Sequence, residues 1–309
     1  MVKEANMSKN MTNPAKKVRT GSGDKIFYAI SYTIIIILTI SVLYPIVYCI
    51  SASFSSADAL MSGKVWLWPV EFNTQGYQAI LKSQNVWIGY RNTIFYTVVG
   101  TLINVAMTLM CAYPLARTNL YGRGPIMFLF SFTMLFGGGM VPSYLLMKNL
   151  GLLNTVWVML IPGAISVYNM IVARTFIQTS IPGELLESSK IDGCSDFQYF
   201  FKMVLPLSKS IIAVLTLWYA VGHWNAYFNA FLYLTDKELY PLQIFLRDLL
   251  ISNDMASAVE DPEIASQLRT VELTLKYAMI VVATAPLFAV YPFVQKHFVK
   301  GVMIGSVKG

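Results

Sequence analysis

Glu184, Glu187 and Asp192 are the carboxylates of a short charged island between two apolar stretches. The island reads Ile181-Pro182-Gly183-Glu184-Leu185-Leu186-Glu187-Ser188-Ser189-Lys190-Ile191-Asp192-Gly193-Cys194, and Met203-Val204-Leu205-Pro206 follows it. No nucleophile stands beside a base here or elsewhere, so covalent or acid–base catalysis is not the expected chemistry. The chemistry that suits these residues is docking: a short exposed helix with acidic side chains, closed by a glycine, can sit in a groove of another protein. A second group is polar within apolar sequence: His223, Trp224, Asn225, Tyr227 and Asn229. On a continuous helix, His223 and Tyr227 share a face, as do Asn225 and Asn229. Polar groups near mid-span are costly and often functional, and they also serve as hydrogen bonds between helices. His223 and His297 are the only histidines, and Cys49, Cys111 and Cys194 form no CxxC or Cys/His cluster. Neither a metal site nor a disulfide framework is implied.

The island must be held by local structure, and its residue types supply it. Pro182 suits the start of a helix, and Glu184 and Glu187 place negative charge where the helix dipole favours it. Gly193 is a natural left-handed residue just past the helix end. Ser195 then caps a second helix, with Gln198 three residues on completing a capping box. Phe197, Phe200, Phe201 and Val204 follow helical spacing, and Pro206 ends this helix or kinks it into the next apolar stretch. Taken by itself, the island could also be an ordinary polar loop.

The rest of the chain says membrane. Of 309 residues, 56% are hydrophobic and 13% charged, about half the charge of a soluble domain. Six apolar stretches near the length of a bilayer-crossing helix cover about 26–50, 92–116, 125–147, 155–177, 210–234 and 273–294. The fold class expected is an all-α integral membrane protein with six transmembrane helices. Gly137-Gly138-Gly139, Pro142, Pro162-Gly163, Pro286 and Pro292 lie inside these stretches. Such residues either break helices that line a pathway or serve packing and kinks, and packing is the expected reading for any single one. Most of the 23 basic residues fall on one side if the N-terminus is inside, which puts both termini in the cytoplasm. The net charge of +7 is therefore a matter of topology, and nucleic-acid binding is excluded as a main role. Residues 1–25 form a basic N-terminal tail, 26–294 the six-span domain, and 295–309 a cytoplasmic C-terminal tail. The first apolar stretch is too long for a cleaved signal sequence and reads as an uncleaved span. Two larger outer loops result, about 51–91 and 235–272, the second acidic through Asp236, Glu238, Asp248, Asp254, Glu260, Asp261, Glu263 and Glu272.

The island resembles the "EAA" loop of permease subunits of binding-protein-dependent ABC importers. That pattern is Glu-Ala-Ala, three residues, Gly, nine residues, Ile-x-Leu-Pro. Glu187, Ser188, Ser189, Gly193, Met203, Leu205 and Pro206 fall at its spacings, with Asp192 before the glycine. The departures are small-for-small at Ser188 and Ser189 and apolar-for-apolar at Met203. Trp68-Pro69, Asn92-Thr93, Ala112-Tyr113-Pro114-Leu115-Ala116-Arg117, His223-Trp224-Asn225 and the run from Phe298 to Gly309 also look like the carbohydrate-uptake members, in particular the smaller membrane subunit of a maltose-type transporter. Within the family the chain is most similar to a complex-oligosaccharide branch. The resemblance implies a type I importer fold with a family-like core at about 92–294 and a coupling loop at about 180–209. It implies that Glu184, Glu187, Ser188, Ser189, Asp192, Gly193, Leu205 and Pro206 meet an ATPase, and that Gly301, Gly305, Lys308 and Gly309 in the tail reach the ATPase subunits. It implies a second, different permease, two ATPase subunits, an outer solute-binding protein meeting loop 235–272, and an oligosaccharide substrate. His223, Trp224, Asn225, Tyr227 and Asn229 become candidates for the sugar pathway, Trp224 by stacking on a sugar ring. No Gly-x-x-x-x-Gly-Lys-Ser/Thr loop is present, so ATP and Mg belong to the partner ATPase and this chain carries no cofactor and no catalysis. The setting implied is a bacterial plasma membrane. The alternative is an ion-coupled secondary transporter. The lack of Asp or Glu inside any apolar stretch weighs against it.

Overall fold

The computed structural model describes residues 21–251 and 272–290, which form two units, one up to Cys49 and one from Ile50 onward. Every regular element among the described residues is helical. Helix α1, Ser22–Ser53, accounts for the described part of the first unit. Its apolar side chains from Ile26 to Leu43 are all exposed. A helix hydrophobic all round with nothing covering it is built for lipid or a partner.

In the second unit α2 is Ala57–Met61, α3 is Gln75–Lys82 and α4 is Gln84–Ala116. Helix α4 begins upstream of the expected 92, and its 33 residues make it about 50 Å long at about 1.5 Å per residue. It is the spine of this unit. Helices α5 (Arg123–Leu135) and α6 (Met140–Asn149) meet at 114° across Gly137-Gly138-Gly139. Three residues without Cβ, one of them (Gly139) at φ 84°, give the backbone no reason to continue the helix. The expected span at 125–147 is therefore broken.

The span expected at 155–177 is not one helix either. It is α7 (Trp157–Leu160) and α8 (Val167–Ser180), separated by 161–166. Pro162 has no N–H to give and Gly163 turns left-handed at φ 77°, which ends the helical ladder. Helix α9 is Gly183–Ile191, and α10, Asp196–Leu207, contains a π-helical turn at Phe200–Val204 ahead of Pro206. Helix α10 meets α11 (Lys209–Trp224) at 80°. The fifth expected span, 210–234, stops at Trp224 and resumes as α12, Phe228–Tyr233. Helix α13, Leu242–Ile251, stands where a loop was expected, and α14 is Glu272–Val290.

Among the described residues three helices, α1, α4 and α14, are long and apolar enough to cross a membrane, or up to five spans if each bent pair counts as one. Three buried clusters hold the second unit together. One joins Leu109, Ala112 and Leu115 of α4 to Met170, Tyr199, Val204 and Leu215. A second joins Tyr96 to Val158, Leu160, Ala230 and Ile244. The third joins Ile80 and Val86 to Leu242, Ala278 and Met279. Helix α4 contributes to all three.

Candidate coupling loop and solute pathway

The island folds as its residue types require. Pro182 precedes α9 in extended conformation, and Glu184 lies in the first turn. At the other end the Gly193 N–H donates to the Lys190 carbonyl at 3.1 Å, and the Cys194 N–H to the Ser189 carbonyl at 2.9 Å. This pair of bonds is the Schellman closure, and it needs Gly193 at φ 75°. Ser195 Oγ accepts from the Gln198 N–H at 3.2 Å, and Gln198 Oε1 accepts from the Ser195 N–H at 3.2 Å, which completes the capping box.

Helix α9 presents one face to the protein and one to solvent. Ser189 is buried, with its hydroxyl donating to the Leu186 carbonyl at 2.8 Å, and Leu185 and Leu186 pack against the first cluster. Glu184, Glu187, Ser188 and Asp192 are exposed, and none of the three carboxylates pairs with a cation among the described residues. Ile191 is 87% exposed and Phe197 72%. The outer face thus combines free carboxylates with large apolar side chains, a composition suited to contact with protein. Leu205 and Pro206 close α10, and the Ser208 N–H returns to the Val204 carbonyl at 2.9 Å. The buried Tyr199 phenol has its pKa pushed up by loss of water, with Arg117 pulling the other way. Gly301, Gly305, Lys308 and Gly309 lie outside the described residues.

The polar group near the end of α11 separates into two sets. His223 Nε2 lies 2.8 Å from Asn104 Oδ1 of α4. The Asn104 amide donates to the carbonyls of Gly163 (2.9 Å) and Ala164 (3.2 Å). Because that nitrogen is used as a donor, Oδ1 must accept, and His223 must be the tautomer protonated at Nε2. Thr108 Oγ1 lies 2.7 Å from the Tyr219 hydroxyl, which also accepts from the Ser166 N–H at 3.1 Å. Trp224 is buried, and its indole N–H donates to the Ala283 carbonyl at 3.0 Å. Its ring meets Tyr90 edge-on rather than facing open space.

Asn225, Tyr227 and Asn229 are exposed. The helix ends at Trp224, with Asn225 as its cap and Tyr227 preceding the next helix. The shared helical faces expected for His223 with Tyr227 and for Asn225 with Asn229 therefore do not form. Sequence reasoning did not single out Gly100, Asn104 and Thr108. Their signal was a run of small and polar residues at i, i+4, i+8 on one face of α4, matching Tyr219 and His223 at i, i+4 on α11. Gly100 is required there, because a Cβ would lie 2.4 Å from His223 Nε2.

The N-terminal end of α4 is equally engaged. Asn92 donates to the carbonyls of Glu238 (2.6 Å) and Tyr240 (3.0 Å), Tyr96 to that of Leu239 (2.9 Å), and Thr93 Oγ1 accepts from the Leu242 N–H at 2.8 Å. Asn92 and Thr93 thereby fix the start of the acidic segment. The portion of that segment at 252–271 lies outside the described residues.

Residues 15–304 match the model of the binding-protein-dependent transport system inner membrane components. The chain belongs to this family. The ion-coupled alternative falls with that match. The chain is 42% identical to the polygalacturonan/rhamnogalacturonan transport system permease protein YtcP of Bacillus subtilis, over 93% of this chain and 99% of that one. It is 43% identical to the protein LplC of the same organism, over 86% of this chain and 89% of that one. It also superposes on a chain from the crystal structure of a bacterial ABC transporter involved in the import of the acidic polysaccharide alginate. That match has TM-score 0.82 and 34% identity, and it covers 90% of this chain and 98% of that chain. The chain is thus an ABC importer permease of the type I fold, a membrane component rather than a catalyst.

Proposed function

We propose that this permease is one of two different membrane subunits of an ATP-driven importer of acidic oligosaccharides in a bacterial plasma membrane. In this reading it crosses the membrane six times with both termini cytoplasmic. Two partner ATPase subunits bind ATP and Mg, and a solute-binding protein meets the segment after α12. The observation that carries the reading is α9: a helix closed at its C-terminal end by the Gly193 turn, seated on the core through Ser189 and Leu186, with Glu184, Glu187 and Asp192 unpaired among the described residues. Such a helix suits a basic groove on one ATPase subunit, with Glu187 opposite a cation and Gly193 setting the exit angle. Closure of the ATPase dimer would then be passed to the spans as a switch between two discrete arrangements.

The acidic class of sugar is supported by what the relatives are named for, polygalacturonan and alginate. Asn225, Tyr227 and Asn229 are the open polar side chains for the pathway, with His223 acting behind them on the break at 161–166. In cells expressing the whole complex, a radiolabelled galacturonate trisaccharide is expected to enter in an ATP-dependent manner, and a neutral glucose trisaccharide is not. Preferential entry of the neutral sugar would overturn the acidic assignment and leave the importer reading standing.

A further inference from the structure

Arg117 stands immediately after α4, where the spine meets the coupling region. Its Nη1 donates to Asp196 Oδ1 at 2.7 Å, and Asp196 opens α10 just past the Gly193 turn. The two ends differ in setting: the Arg117 side chain is 15% exposed and that of Asp196 61%. The guanidinium also lies over the Tyr113 ring, 5.7 Å from its centre, and Tyr113 packs on Tyr199 and Phe200 of α10. Two cavities, of about 650 Å³ and 540 Å³, flank this contact, and Arg117 lines both. Arg117 therefore acts as a strut across a loosely filled junction.

Helix α4 gives that strut a long reach. Its far end holds the 238–242 segment through Asn92, Thr93 and Tyr96, and its middle holds the 163–164 carbonyls through Asn104. One helix thus touches the coupling loop, the broken backbone and the outer segment.

We infer that Arg117 is a positioning residue for energy coupling: its ion pair with Asp196 makes α4 follow the docked loop. This rests on the docking role of α9. In this role Arg117 acts through Asp196, so its loss uncouples rather than disarms. The test uses the whole complex in lipid nanodiscs with Mg-ATP as the probe, so that no sugar needs to be known. Rates are taken per assembled complex, counted by native mass spectrometry. Arg117→Asp is expected to release the ATPase from restraint, raising hydrolysis by about fivefold or more, the low end of ordinary coupling between sites. The swap Arg117→Asp with Asp196→Arg is expected to return the rate to that of the wild type. Asp196→Asn, made at the exposed end, is expected to raise the rate in the same direction and keeps the test open if the Arg117 variant does not assemble. Unchanged rates per complex in both single variants, or a swap that restores nothing, would overturn the inference while leaving the docking of α9 intact. A wild-type complex that holds no ATPase subunit would overturn the docking reading and the strut with it.

Discussion

Gly193 carries a requirement of conformation rather than of space. It sits at φ 75°, with nothing within 4 Å of where a Cβ would be. A side chain there meets no neighbour but pays the left-handed penalty of about 1–2 kcal/mol. Asn tolerates that region and β-branched residues do not. Gly193→Asn is therefore expected to keep most of the ATP-dependent uptake, and Gly193→Val to lose it while still inserting in the membrane; uptake assays on membranes with matched amounts of protein separate the two. Equal uptake by both variants would remove the conformational argument. Ser189 poses the opposite problem, being only 3% exposed. Ser189→Ala removes only the local bond to the Leu186 carbonyl and is expected to be nearly silent, whereas Ser189→Leu must lift α9 off its seat. Loss of the ATPase from the purified complex in the Leu variant alone is the outcome that checks this. These features were legible in the sequence because caps and left-handed glycines are set by residues within a turn of one another.

Side-chain partners far apart in sequence were not legible, and the seam between α4 and α11 shows why. His223 was visible as an odd residue in an apolar stretch, but Asn104 is 119 positions away. Only the packing of two helices brings them together, and sequence spacing within one helix cannot report it. The same limit explains the broken spans. Glycine and proline are compatible with either a kink or a stop inside a membrane helix, and which occurs depends on whether freed carbonyls find donors. At 163–164 they find Asn104. Helix α13 was missed because the acidic residues around it made the whole stretch read as loop, although Leu242, Phe245, Leu246 and Leu249 had helical spacing and pack into the third cluster.

The seam makes a prediction with a definite sign. Gly100→Ala places a methyl group against the His223 ring, at 2.4 Å from Nε2, and is expected to lower stability. His223→Ala leaves Asn104 Oδ1 without its donor, at a cost of about 1–3 kcal/mol. In the double variant the added methyl group has no ring to strike. The two costs should therefore fail to add by roughly 0.5–3 kcal/mol, as expected for residues in contact. Thermal unfolding of the three purified proteins in one detergent measures the cycle. Additive costs would mean that Gly100 and His223 do not meet as described.

At the scale of the whole molecule the decisive quantity is the number of docking helices. On the docking proposed for α9, this chain offers one such helix, and its carboxylates, unpaired among the described residues, would fill one groove. In that proposal an ATPase dimer presents two grooves, so a second loop would come from a second permease. The exposed apolar surface of α1, and α5, none of whose residues is fully buried, leave room for such a neighbour as well as for lipid. Native mass spectrometry of the complex, released gently from its own membrane, is expected to give one copy of this chain, one different permease and two ATPase copies. Two copies of this chain with two ATPases would keep the groove argument and overturn the second, different permease. A single ATPase beside one permease would break the argument itself, because the two grooves of the dimer would then have no need of two loops.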